Sequence, residues 1–81
     1  MNIQQLRYVV AIANSGTFRE AASKLFVSQP SLSVAIKDLE QELNFKIFTR
    51  TTTGAVLTSQ GMTFYERALE VVRSFDSFEN R

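Results

Sequence analysis

Apolar residues recur along this chain in helical rhythms, interrupted once by a strand-like stretch. From Ile3 to about Asn14, residues Ile3, Leu6, Val9, Val10 and Ala13 follow the spacing that gathers side chains on one face of an α-helix. Ser15-Gly16 supplies the stop. Thr17 and Glu20 then form a T-x-x-E capping box, so a second helix starts at Phe18 and buries Phe18, Ala21, Ala22 and Leu25. Its two alanines permit close helix packing. Phe26-Val27-Ser28 breaks the rhythm, with Ser28 as the cap of a third helix and Pro30 in its first turn, where a missing N–H costs nothing. Leu32, Ile36, Leu39 and Leu43 place that helix's core stripe, and Asn44 ends it in the left-handed conformation. Residues 45–50 and 55–58 are rich in Phe, Ile, Thr and Val and predict a two-stranded hairpin around Thr51-Thr52-Thr53-Gly54. Two strands alone are marginal, so the hairpin should lean on the helices through Ile47 or Phe48 and Leu57.

Thr58 caps a last helix over about 59–78, whose apolar surface is too wide for a single seam. At 100° per residue, Met62, Tyr65, Leu69 and Val72 fall on one stripe, assigned here to the chain's own core. Phe64, Ala68, Val71, Phe75 and Phe78 form a neighbouring near-heptad stripe, assigned to pairing with a second copy in preference to a longer intrachain core closed by Phe64, Phe75 and Phe78, because so few residues are left to cover them. The expected fold is mainly α: a winged helix-turn-helix, made of a three-helix core and a two-stranded wing over residues 1–58, followed by a long C-terminal linker and dimerisation helix over 59–81.

The third helix has a second face that its core stripe does not use. Gln29, Pro30, Ser33, Val34 and Lys37 present hydrogen-bonding groups, small side chains and a cation on the outer side of its first turns. Asp38, Glu40 and Glu42 are held back to the later turns, where phosphates would not meet them if the helix inserted its N-terminal end. Such a face suits the major groove of DNA. From spacing alone Gln29 and Ser33 are equally well read as solvated positions, and Val34 as packing on the wing.

Composition narrows the alternatives. Eighty-one residues make one small domain with little stability in reserve, and 44% hydrophobic against 21% charged residues is ordinary for a globular chain. Cysteine and histidine are both absent, which removes disulfides, cysteine-ligated zinc, thiol nucleophiles and histidine bases together. Glu40 and Glu66 have no nucleophile or metal partner in the pattern, and no Gly-rich phosphate loop exists, so an enzyme is set aside and no metal or cofactor is expected. No apolar run approaches the length of a membrane span, and the N-terminus lacks a signal-peptide pattern, which makes the cytoplasm the expected location. The net charge is only +1, but residues 1–58 carry six Lys or Arg against four acids, and 59–81 three against four. Local charge therefore permits DNA contact. Arg7, Arg19 and Lys24 are read as solvated or phosphate-touching.

The stretches LRYVVAIANSGTFREAASKLFVSQPSLSVAIKDLEQELNFKIFTR and TGAVLTSQG together resemble the N-terminal winged helix-turn-helix domain and linker helix of LysR-type bacterial transcriptional regulators, over essentially the whole chain. The resemblance implies dimers or tetramers that bind interrupted inverted repeats in promoter DNA and answer to a small effector held by a separate C-terminal domain, which these residues do not include. It implies that Gln29, Pro30 and Ser33 approach bases or backbone in the major groove, that Lys37 contacts phosphate, and that Arg50 reaches the neighbouring backbone or minor groove. The full candidate DNA-contacting set is Ser28, Gln29, Pro30, Ser31, Ser33, Val34, Lys37, Arg50 and Thr53. Three positions depart from the family pattern. Val34 and Thr53 stand where basic residues are frequent, so a shallow salt dependence is expected, and Asn44 stands where Gly is frequent. The alternative is a protein-interaction or dimerisation module that keeps the fold without using DNA.

Overall fold

The computed structural model describes residues 1–80; Arg81, the last residue of the predicted 59–81 helical segment, lies outside them. Four helices and one hairpin follow in order: α1 Ile3–Ser15, α2 Phe18–Leu25, α3 Gln29–Leu43, β1 Phe48–Arg50, β2 Ala55–Leu57 and α4 Ser59–Glu79. The fold is the expected mainly helical one with a two-stranded antiparallel wing.

Local chemistry sets most of the boundaries. Ser28 and Thr58 accept hydrogen bonds from the backbone N–H of Ser31 and Gly61, so each caps the helix that follows. Gly16 and Asn44 close α1 and α3 in the left-handed conformation. At α2 only half of the expected capping box is present: Thr17 accepts from the Glu20 N–H. A complete box sits instead at α1, where Asn2 accepts from the Gln5 N–H and the Gln5 side chain accepts from the Asn2 N–H.

The strands are shorter than expected. The Ile47 and Phe48 N–H groups donate to the Glu40 carboxylate at 2.7 and 3.2 Å, so on its N–H side the chain entering β1 is held by a side chain from α3, while the Ile47 carbonyl accepts from the Thr58 N–H at 2.9 Å. Thr58 leaves the hairpin to start α4. What remains pairs Phe48 with Leu57, Thr49 with Val56 and Arg50 with Ala55. The Ala55 N–H also donates to the Gly16 carbonyl at 2.8 Å, which ties the wing to the turn between α1 and α2.

The core lies where α1, α2 and α3 meet under the hairpin. Val9, Ile12, Leu32, Leu39 and Ile47 are its largest fully buried side chains. Ile12, outside the stripe read for α1, is more buried than Ile3, Leu6, Val10 or Ala13. A T-shaped contact between Phe18 and Phe48, centroids 5.7 Å apart, joins α2 to the wing. Among the described residues no buried side-chain nitrogen or oxygen lacks a hydrogen-bond partner, and no helix is long and apolar enough to cross a membrane.

Rotation of α4 differs from the expected one. Gly61 sits where any Cβ would overlap the Ile47 carbonyl, so this turn of α4 presses directly on the backbone before β1. That contact fixes which face looks inward. Gly61, Tyr65, Ala68 and Val72 recur at i, i+4, i+7 and i+11, with Gly61, Ala68 and Val72 buried and Tyr65 partly so. Met62, assigned to the core from its spacing, is exposed, while Ala68, assigned to a second copy, is only 3% exposed inside this chain.

Candidate nucleic-acid interface

The first turns of α3 form an open surface. Ser28 accepts from the Ser31 N–H at 3.2 Å and donates its own hydroxyl to Ser31 Oγ at 2.8 Å, so these two serines organise the helix start. Gln29, Pro30, Ser31, Val34 and Lys37 are exposed, and Ser33 is half-buried. Val34 is 58% exposed, which removes the reading in which it packs on the wing. Pro30, Ser31, Val34 and Ala35 share a shallow groove with Asp38, the nearest carboxylate to this face. Of the other two acids, Glu40 is committed to the Ile47 and Phe48 N–H groups, and Glu42 pairs with the N-terminal amine at 2.7 Å. The carboxylates of the later turns are thus partly neutralised by structural roles.

Arg50 departs from the position expected for a wing residue. It ends β1, and its guanidinium carbon lies 3.7 Å from the centroid of the Phe18 ring. From there Nη2 donates to Ser33 Oγ at 2.6 Å. The wing cation is therefore folded back against α3, pinned on an aromatic face that desolvates one side of it. Periodicity could not reveal this bridge, because Arg50 and Ser33 are 17 residues apart. A hollow of about 310 Å³ lies between α3 and β1, bordered by Phe18, Ser33, Lys37, Lys46, Phe48 and Arg50. Three cations line it against the single carboxylate of Glu40, which Lys46 Nζ approaches to 3.7 Å. Thr53 is exposed in the wing turn, its hydroxyl 3.5 Å from that of Thr51, and brings no charge to the wing.

Of the basic residues read as solvated or phosphate-touching, Arg7 is paired within the chain. Its guanidinium makes two hydrogen bonds to the Asp76 carboxylate, at 2.6 and 3.2 Å, and lies 5.6 Å from the Phe75 ring centroid. The paired hydrogen bonds hold the Asp76 carboxyl below the usual carboxylate range and raise Arg7. This cation fastens α4 to α1. Arg19 and Lys24 are exposed.

The outer stripe of α4 is divided by the same packing. Phe64 is partly buried, edge-on to Phe45 with centroids 6.3 Å apart, and Ala68 is in the core, so both are covered by their own chain. Val71, Phe75 and Phe78 remain exposed, Phe78 at 74%, and line a common hollow with Glu70 and Ser74. Among the described residues, no group of three or more His, Cys, Asp or Glu is placed to hold a metal ion.

A family model described as bacterial regulatory helix-turn-helix protein, lysR family, matches residues 3–62. The HTH-type transcriptional regulator BudR of Klebsiella aerogenes is 43% identical over 77 residues, covering 95% of this chain and 54% of that protein. The HTH-type transcriptional regulator TfdT of Cupriavidus pinatubonensis is 40% identical over 72 residues, covering 89% of this chain and 32% of that protein. The chain thus spans about half the length of the first and about a third of the second. Among solved structures, a complex of the CbnR DBD with DNA matches with a TM-score of 0.93 and 32% identity, covering 100% of this chain and 93% of that one. A complex of the BenM DBD with benA site 1 DNA matches with a TM-score of 0.93 and 34% identity, covering 99% and 90%.

Proposed function

This chain belongs to the LysR family of bacterial regulatory helix-turn-helix proteins, and from that premise we propose that it binds double-stranded promoter DNA sequence-specifically as a homodimer that regulates transcription. The observation that carries the reading is the open N-terminal face of α3, where Gln29, Pro30, Ser31, Val34 and Lys37 stand exposed beside the Arg50 guanidinium. In this reading α3 enters the major groove, Gln29 and Ser33 meet base edges, and Val34 offers an apolar surface to a thymine methyl. Lys37 and the cation-lined hollow beside it face the phosphates. The DNA complexes of the CbnR and BenM domains support it, since both share this fold over nearly the whole chain. Residues 1–58 act as the DNA-reading unit. The exposed Val71, Phe75 and Phe78 on α4 pair it with a second copy, so that two α3 helices address two half-sites of an inverted repeat.

Selection of the purified chain against a random-sequence duplex pool at low salt tests this. An interrupted inverted repeat should be enriched, Gln29→Ala should relax the preference at the bases it faces, and Lys37→Glu should weaken retention of every sequence. A pool that emerges without enrichment, retained equally by both variants, would exclude DNA reading and leave the protein-interaction alternative.

A further inference from the structure

We propose that Arg50 is a positioning residue that fixes the Ser33 hydroxyl as a hydrogen-bond donor, so that the base pair opposite Ser33 is chosen for a guanine edge. The inference rests on the reading of α3 as the groove-facing helix and adds the polarity with which it reads one position.

A serine hydroxyl is ambiguous in isolation, since it carries one donor and two acceptor lone pairs and rotates to suit its partner. Alone, it would take either an acceptor or an amine from the base. Here the ambiguity is removed. Arg50 Nη2 donates to Ser33 Oγ at 2.6 Å, which occupies a lone pair and turns the O–H away from the guanidinium. The Ser33 hydroxyl makes no other hydrogen bond among the described residues, so its hydrogen is unspent. The adjacent positive charge also repels a second donor approaching the same oxygen, such as the amine of cytosine, and favours an electron-rich acceptor. The guanidinium is itself held from below by the Phe18 face at 3.7 Å, and Phe18 is buried against Phe48. The orientation of one hydroxyl on α3 is therefore set by the wing and by α2. Guanine presents N7 and O6 acceptors and no amine in the major groove, whereas cytosine presents only an amine, so inverting that base pair exchanges the best partner for the worst.

The test measures affinities of the full chain for its selected duplex and for the four base-pair variants at the position that Ser33→Ala makes degenerate. The wild-type chain should favour G·C over the inverted C·G by roughly five- to tenfold, the scale of one hydrogen bond. Ser33→Ala should abolish that preference, Arg50→Met should reduce it to about the same extent through the freed hydroxyl, and the double variant should lose nothing more. Arg50→Met should also weaken binding to every sequence through the lost cation, so the readout is the ratio of the G·C and C·G affinities rather than either affinity alone, and Arg50→Lys should fail to restore that ratio, because an ammonium has no planar fork to rest on Phe18. If Arg50→Met leaves the G·C preference intact, or if the losses in Ser33→Ala and Arg50→Met add, the positioning role is wrong while DNA reading stands. A wild-type chain without any sequence preference overturns both.

Discussion

Phe26 is the residue whose conformation least suits its type. It closes α2 in the left-handed region, φ 60°, and its side chain is 94% exposed. A side chain with a Cβ is penalised there by about 1–2 kcal/mol, and this ring recovers nothing by burial. Asn occupies the same region more readily because its short amide can bond locally, and Asn44 holds that conformation at the end of α3. Phe26→Asn should therefore stabilise the fold by about 0.5–1 kcal/mol, read as a higher urea midpoint at unchanged slope. A lower midpoint would mean that the ring has a partner within the chain. The turn was legible as a break in periodicity at Phe26-Val27-Ser28, and so were the caps at Ser28, Asn44 and Thr58, because capping joins residues a few positions apart. Glu40 was not legible. It reads as one more acid on a solvated helix turn, and only the return of the chain at Ile47 and Phe48 turns it into their hydrogen-bond acceptor.

At the scale of elements, existence and order followed from local spacing, whereas rotation depended on a contact between distant parts. The hydrophobic pattern of α4 offers two neighbouring stripes, and spacing alone does not set a rotation whose inward face draws on both, Tyr65 and Val72 from one and Phe64 and Ala68 from the other. Gly61 decides it by allowing the helix to rest on the Ile47 carbonyl. Gly61→Ala should thus destabilise by about 1–3 kcal/mol, although alanine is the better helix former by roughly 1 kcal/mol; denaturant unfolding gives the sign. A stabilised variant would show that α4 can shift at no cost. The other end of α4 is held electrostatically. Because Arg7 keeps the Asp76 carboxyl below its ordinary value, the pair stabilises the fold at neutral pH, and the contribution fades as pH falls from the ordinary carboxylate range through the depressed one. Wild type should melt above Asp76→Asn at neutral pH, and the two should converge in acid. A gap that persists at low pH would assign the effect to packing on Phe75 instead of charge. Neither Arg7 nor Asp76 carries a sequence signal for this pairing, since 69 residues separate them.

For the whole molecule, the two anchors of α4 determine where its uncovered surface points. Gly61 sets the rotation and Arg7 fastens the far half, leaving Val71, Phe75 and Phe78 exposed in a chain of otherwise modest size. Val71 and Phe78 are seven residues apart, the repeat that keeps two side chains on one seam of a paired helix. If a second copy covers this seam, the spacing between two α3 helices is a property of α4, and operator affinity depends on residues that never meet DNA. Val71→Glu with Phe78→Glu places charge on that seam without touching the buried face at Ala68 and Val72. The double variant should keep its helical circular dichroism, sediment as a monomer at concentrations where wild type is dimeric, and bind an isolated half-site as wild type does. Its affinity for the full inverted repeat should fall by about 10²-fold or more, because the second half-site is no longer engaged at the high effective concentration that tethering supplies. Equal loss on half-site and full repeat would place the effect in the DNA-reading unit, and an unchanged dimer would move the pairing surface away from α4.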